Sequence, residues 1–198
     1  SANLPDPTIL LPNKHFDTLL YTGQDTSSLY NVTGLEFQPD WVWGKARNDT
    51  IGHILFDAVR GEDKQLETQS TDAEVVRGSA AYRFLSNGFA VSTVGNLNNP
   101  VNYVAWNWNA GGSTASNSDG SITSSVRANT TAGFSIVGYT GTGSNATVGH
   151  GLGVAPKFII TKQRSTGGHH WRTYHATIGA TKSLYLDLSN AVTGTDAG

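Results

Sequence analysis

The chain has no cysteine and no methionine among its 198 residues. Without cysteine there is no disulfide and no thiolate metal site, so the fold rests on packing and hydrogen bonds alone. Charge is also scarce, at 14% of residues with a net charge of -2. That balance gives no electrostatic reason to expect nucleic acid or an anionic membrane as a partner. No apolar run approaches the roughly 20 residues of a membrane-spanning helix. The opening "SANLPDPTILLPNKH" has neither the basic start nor the apolar run of a signal peptide.

Glycine is abundant, with 23 residues. Ser, Thr and Asn fill much of the rest, while Trp, Tyr, Phe, Val, Ile and Leu recur along the whole length. That mixture suits short strands joined by tight turns. Alternation supports it. In "DTLLYTG", Leu19 and Tyr21 share one face and Thr18 and Leu20 the other. "DWVWGKAR" is apolar on both faces, as a central strand is. "YVAWNWN" puts Tyr103, Ala105 and Asn107 on one face and Val104, Trp106 and Trp108 on the other. Turn residues separate these runs in "SNG", "SDG" and "TGTGSN". "STDAEVVRGSAAYRF" has room for one or two helical turns at most. The expected fold is all-β, an antiparallel β-sandwich or jelly roll.

One eight-residue phrase occurs almost twice. "FDTLLYTG" starts at Phe16 and "FSIVGYTG" at Phe134. Two more blocks follow in the same order. "GLEFQPDWVWGKAR" (34–47) lies on "GLGVAPKFIITKQR" (151–164), and "HILFDAVRGEDKQLE" from His53 lies on "WRTYHATIGATKSLY" from Trp171. Insertions fall only between blocks, so the sequence reads as two copies of one unit. The first spans 1–112. The second, 113–198, stops before reaching counterparts of "YRFLSNGFAVST" and "NYVAWNWNAGG". The unfinished copy and the missing initiator methionine imply a chain trimmed from, or part of, something longer. The start of the connector 111–133 is linker-like, and "SITSSVRAN" is expected as an edge strand. An incomplete sandwich leaves Phe158, Ile160, Leu184 and Leu186 short of cover.

Several residues suggest chemistry. "HHWRTYH" supplies His169, His170 and His175, but on a strand His169 and His175 lie about 20 Å apart and His170 faces the other way, so no zinc site closes. His150, among glycines, is expected to brace a turn. Asp40, Asp57, Glu62 and Asp63 are candidates for a glycosidase pair. The repeat argues against it, because Asp40 aligns with Lys157, Asp57 with His175 and Glu62 with Ala180. What the copies share is scaffold: glycines, Pro39/Pro156, Lys45/Lys162 and apolar positions. "NSDGS" offers oxygen ligands for calcium but no EF-hand spacing, and reads first as a turn. Four matches to the N-glycosylation pattern are expected by chance in so Thr- and Asn-rich a chain. No catalytic residue, cofactor or metal is therefore expected, and no enzymatic activity. Trp41, Trp43, Trp106 and Trp108 remain as the candidate glycan-stacking residues. The competing reading is core packing, favoured because Trp41 and Trp43 align with Phe158 and Ile160. Trp106 and Trp108 are expected to face the core with Val104.

"LEFQPDWVWGKAR", "HILFDAVRG", "SNGFAVST", "NYVAWNWNAGG", "GFSIVGYTG…GHGLGVAPKFIITKQR" and "GATKSLYLDL" together resemble a repeat found in virion proteins of marine tailed bacteriophages. Those proteins look like tail-fibre or other appendage proteins carrying tandem copies. The repeat is similar to concanavalin-A-like lectin or SPRY-type sandwiches, and the resemblance runs from Phe16 to about Asp187. It implies a location on the virion exterior and a structural or adhesive role in host-surface attachment. The partners it implies are other virion subunits, including a homo-oligomer, trimeric as in many phage fibres, and host-surface glycan. A lectin-like carbohydrate-binding module and a polysaccharide depolymerase are the alternatives. It carries no catalytic residue to transfer.

Overall fold

Strands, not helices, take up the apolar residues in the computed structural model, which describes residues 9–194. The chain is all-β, built from several antiparallel sheets in sandwich packing. The first group comprises β1 (Phe16–Thr22), β2 (Tyr30–Thr33), β3 (Trp41–Ala46), β4 (Ile54–Asp57), β5 (Gly61–Glu67), β6 (Val75–Val76), β7 (Tyr82–Leu85), β8 (Gly88–Val91) and β9 (Asn102–Trp108). The second comprises β10 (Ala115–Asn117), β11 (Ser124–Asn129), β12 (Phe134–Gly138), β13 (Phe158–Thr161), β14 (Arg172–His175), β15 (Lys182–Tyr185) and β16 (Thr193–Gly194). The division expected at 112/113 falls between β9 and β10.

A six-stranded sheet in the order β1-β9-β3-β4-β5-β6 faces a three-stranded sheet, β2-β8-β7. Between them lies the main core: Val42, Ile54, Phe56, Tyr82, Phe89, Val91, Leu97, Tyr103 and Ala105, with Leu19 and Tyr21 packed against it. Phe56 stacks on Tyr82 at 4.4 Å and Tyr21 on Tyr103 at 5.1 Å. The Tyr82 hydroxyl is satisfied inside this core by Gln65 and the Gly95 carbonyl, as a buried hydroxyl must be. β7 and β8 form the hairpin that "SNG" marks, with Leu85 opposite Gly88.

The second group contains the sheets β10-β11-β12 and β13-β14-β15-β16. Its four-stranded sheet copies the pairing of β3–β6. Trp41 pairs with Asp57 and Gly44 with Ile54; Phe158 pairs with His175 and Thr161 with Arg172. Leu55 opposite Leu66 becomes Thr173 opposite Leu184, and Lys64 opposite Val76 becomes Lys182 opposite Gly194. Adding 117 to each β3 number and 118 to each β4, β5 and β6 number converts one register into the other. A one-residue slip would turn every side chain to the other face, so agreement at each paired position is specific. β16 is thus the partner that β6 is to β5, one strand more than the sequence blocks delimit.

Two expectations need correction, and one stretch is now defined. "SITSSVRAN" forms β11, the middle strand of its sheet and not an edge, because the Ser- and Asn-rich connector supplies β10 against it. The stretch around Glu74 makes the short strand β6 and no helix, its Val75 and Val76 pairing with Gln65 and Lys64. Trp106 and Trp108 do not face the inter-sheet core. Tyr103, Ala105 and Asn107 do, fully buried, and the two indoles lie on the opposite face.

Candidate functional site

The outward face of the six-stranded sheet carries the candidate residues. Antiparallel pairing places Phe16, Trp108 and Trp41 in one row across β1, β9 and β3, and Thr18, Trp106 and Trp43 in the next. All four indoles are half-buried. Trp43 and Trp106 meet edge to face at 5.9 Å, and Phe16 lies 4.7 Å from Trp108.

The second strand group covers much of this face. Phe134 at the start of β12 stacks on Trp108 (5.8 Å, 22° between planes) and meets Trp41 edge-on (6.1 Å). Trp171, just before β14, is 3% exposed and packs with Leu55 and Leu66, joined by Trp41, Trp43 and Ile160. Its indole N–H donates to the Glu67 carbonyl at 3.0 Å. Ile160, Thr173 and Leu184 sit in one row of the second sheet, just as Trp43, Leu55 and Leu66 do in the first. The two sheets therefore meet through corresponding faces. The aromatic face is neither the sandwich core nor a bare platform; it is an internal interface.

Charged groups fasten the same interface. Arg127 of β11 pairs with Asp40, whose carboxylate also accepts the Ala110 N–H at 2.8 Å. Burial lifts Asp40 above the usual carboxylate range, against the pull of Arg127 and that N–H. Arg60 is held by Asp57 at 2.5 Å and Glu74 at 3.0 Å, and Arg164 reaches Glu74 at 3.0 Å. Asp40 and Asp57, two of the carboxylates weighed as catalytic, are thus each engaged by an arginine. The shared lysines serve as backbone donors: Lys45 to the Ala46 and Asp49 carbonyls, Lys162 to those of Thr71 and His169.

The histidines are dispersed. His170 pairs with Asp187 at 2.7 Å, and His175 Nδ1 accepts the Thr177 N–H. His150 Nδ1 accepts the Leu152 N–H at 3.2 Å, bracing a turn among glycines. Among the described residues no three His, Asp or Glu side chains converge on a metal position. His53 lies beside the tryptophans, its Nδ1 accepting the Trp43 indole N–H at 3.0 Å. Burial, then Lys45, holds its pKa below the ordinary histidine value.

Sequence reading missed the residues that clamp this face: Phe134, Trp171, Arg127 and Glu74. Trp171 aligns with His53 in the matched sequence blocks, and that small-to-large exchange was the one visible signal.

A family model matches residues 11–197, and the chain belongs to that family, described as a domain of unknown function (DUF7483). No curated protein and no solved structure matches the chain.

Proposed function

We propose that this member of the family is a structural and adhesive module of a bacteriophage particle appendage, a tail fibre or related virion protein, contributing to host-surface attachment. The sequence blocks carry the phage resemblance, and one structural observation supports a scaffold role. The aromatic row that would serve a ligand is engaged by Phe134 and Trp171 of the same chain. Two ion pairs, Arg127–Asp40 and Arg164–Glu74, likewise join the strand groups instead of lining a cleft. No reaction is part of the proposal. The full protein is a homo-oligomer in this reading, with a trimer favoured by analogy with phage fibres. Immunogold labelling of purified particles with antibody to this domain tests it. Label on an external appendage supports it; chain found only in infected-cell extract and never on particles contradicts it.

One observation favours the lectin-like alternative. Trp106 is half-buried, and Leu20, on the same face of the sheet, is 64% exposed. A glycan array separates the readings: a hit lost in a folded Trp106→Ala chain makes the domain a carbohydrate-binding module.

A further inference from the structure

The two strand groups differ at one place in the sheet. In the first, β9 lies between β1 and β3 and pairs antiparallel with both. In the second, β12 resembles β1 in sequence and β13 matches β3 in register. Each ends its own sheet, and among the described residues no strand pairs with either outer edge.

The backbone shows which groups those edges present. The Ala176 N–H donates to the Lys157 carbonyl at 2.8 Å. Hydrogen-bonding residues alternate along an antiparallel ladder, so Lys157, Ile159 and Thr161 address β14. Phe158 and Ile160 then turn their N–H and C=O groups to the open side. β3 behaves identically: the Ala58 N–H donates to the Asp40 carbonyl on the β4 side, and the Arg47 N–H to the Asn102 carbonyl on the β9 side. On β12, Phe134 closes the hairpin from Asn129, and the Gly133 N–H donates to the Asn129 carbonyl at 2.9 Å. Phe134 and Ile136 therefore address β11, and Ser135 and Val137 turn away. In β1 the residues that address β9 are 17, 19 and 21, fixed by the Asn109 N–H to His15 and Gly23 N–H to Val101 bonds. Adding 118 to 17 and 19 gives 135 and 137.

One residue of each edge also lies near Trp41 of the first sheet. Trp41 touches Phe134 of β12 and packs in one cluster with Ile160 of β13.

We propose that β12 and β13 are the two walls of a slot that takes one extended polypeptide strand, antiparallel to both. The occupant is a strand with the chemistry of β9, supplied by a domain of this same family. Two rows of unpaired N–H and C=O groups give the affinity, as in recognition by strand addition. Side chains alternating between aromatic and small set its register, because a one-residue shift reverses both faces. The inference rests on pairing register and does not depend on the phage reading.

The probe is a synthetic peptide of residues 101–110, VNYVAWNWNA, added to the intact chain. Hydrogen exchange is read at the amides of Ser135, Val137, Phe158 and Ile160, and affinity by anisotropy of labelled peptide. Binding should slow exchange at those four amides at least tenfold. A peptide of the same composition in scrambled order, and one N-methylated at Tyr103, Ala105 and Asn107, should bind at least tenfold more weakly. Val137→Pro and Ser135→Pro remove slot-side donors while leaving the β11 ladder intact, and each should lose binding with its near-UV spectrum unchanged. Absence of protection, or equal binding by scrambled or N-methylated peptide, overturns the proposal whether or not the proline chains fold. So does concentration-dependent protection of those amides that the added β9 peptide does not displace, which would mean that the edges pair with something other than a β9-like strand.

Discussion

Trp43 donates its indole N–H to Nδ1 of His53 at 3.0 Å, and the two rings meet edge to face at 5.8 Å. Nδ1 must stay unprotonated to accept that bond. Burial, then the charge of Lys45, opposes a proton on the ring as well. The folded chain therefore binds this proton less tightly than the unfolded chain. Stability contributed here is present above the unfolded histidine pKa of about 6.5 and is lost as pH falls through it. The melting temperature should drop between pH 8 and pH 5. His53→Gln should flatten that drop relative to the parent; an unchanged pH profile in the variant would contradict the assignment.

Arg127 and Asp40 join β11 to the approach to β3. Arg127→Ala leaves the Asp40 carboxylate, 3% exposed, without its counter-charge. Breaking a buried pair from one side costs about 3–5 kcal/mol. Chemical denaturation at pH 7 should show a loss of that order. The loss should shrink toward acid pH, where Asp40, its pKa already raised, takes up a proton.

Facing determines which β9 residues matter. Tyr103 is fully buried and stacks on Tyr21, whereas Trp106 is half-buried on the other face. Tyr103→Ala should cost about 3–5 kcal/mol, as large-to-small changes of core aromatics do. Trp106→Ala should cost roughly 1–2 kcal/mol, below the value for a fully buried side chain. Paired urea titrations decide it; a larger loss at Trp106 would restore the sequence-based assignment of that face to the core.

The repeated octet ends in two glycines with different surroundings. A Cβ on Gly23 would lie 1.9 Å from the Asn99 carbonyl oxygen, while one on Gly141 would meet nothing within 4 Å. Gly23→Ala should cost on the order of 1–3 kcal/mol through overpacking. Gly141→Ala should leave the melting temperature within a degree or two. Equal effects at both positions would mean that the loop against Gly23 is not seated as described.

Much of this architecture is written in local pattern. Alternation in "DTLLYTG" separates Leu19 and Tyr21 from Thr18 and Leu20, and the structure packs the first pair against the core and leaves Leu20 exposed. The "SNG" turn gives the β7–β8 hairpin. Aligned blocks give the β13–β15 strands, whose registers then match pair by pair. Which face of β9 meets the sandwich core was not legible. Both faces carry apolar residues, so apolarity does not distinguish them. Asn107 takes a core position because its side-chain amide finds the Asp17 and Ala105 carbonyls, contacts set by strand neighbours far off in sequence. β10 escaped for a similar reason: "ASN" is a poor strand former by composition and is held by pairing with β11. The tryptophans could be grouped from the sequence, but their cover could not, since Phe134 and Trp171 come from distant strands.

The account turns on the tryptophan face being an internal interface between the two strand groups. Nuclear Overhauser contacts from the Trp171 indole, with exchange of its Nε1 proton, test that most directly. The predicted result is contacts to Leu55 and Leu66 and a slowly exchanging proton held by the Glu67 carbonyl. A freely exchanging indole proton with no contact to any residue of β4 or β5 would contradict it.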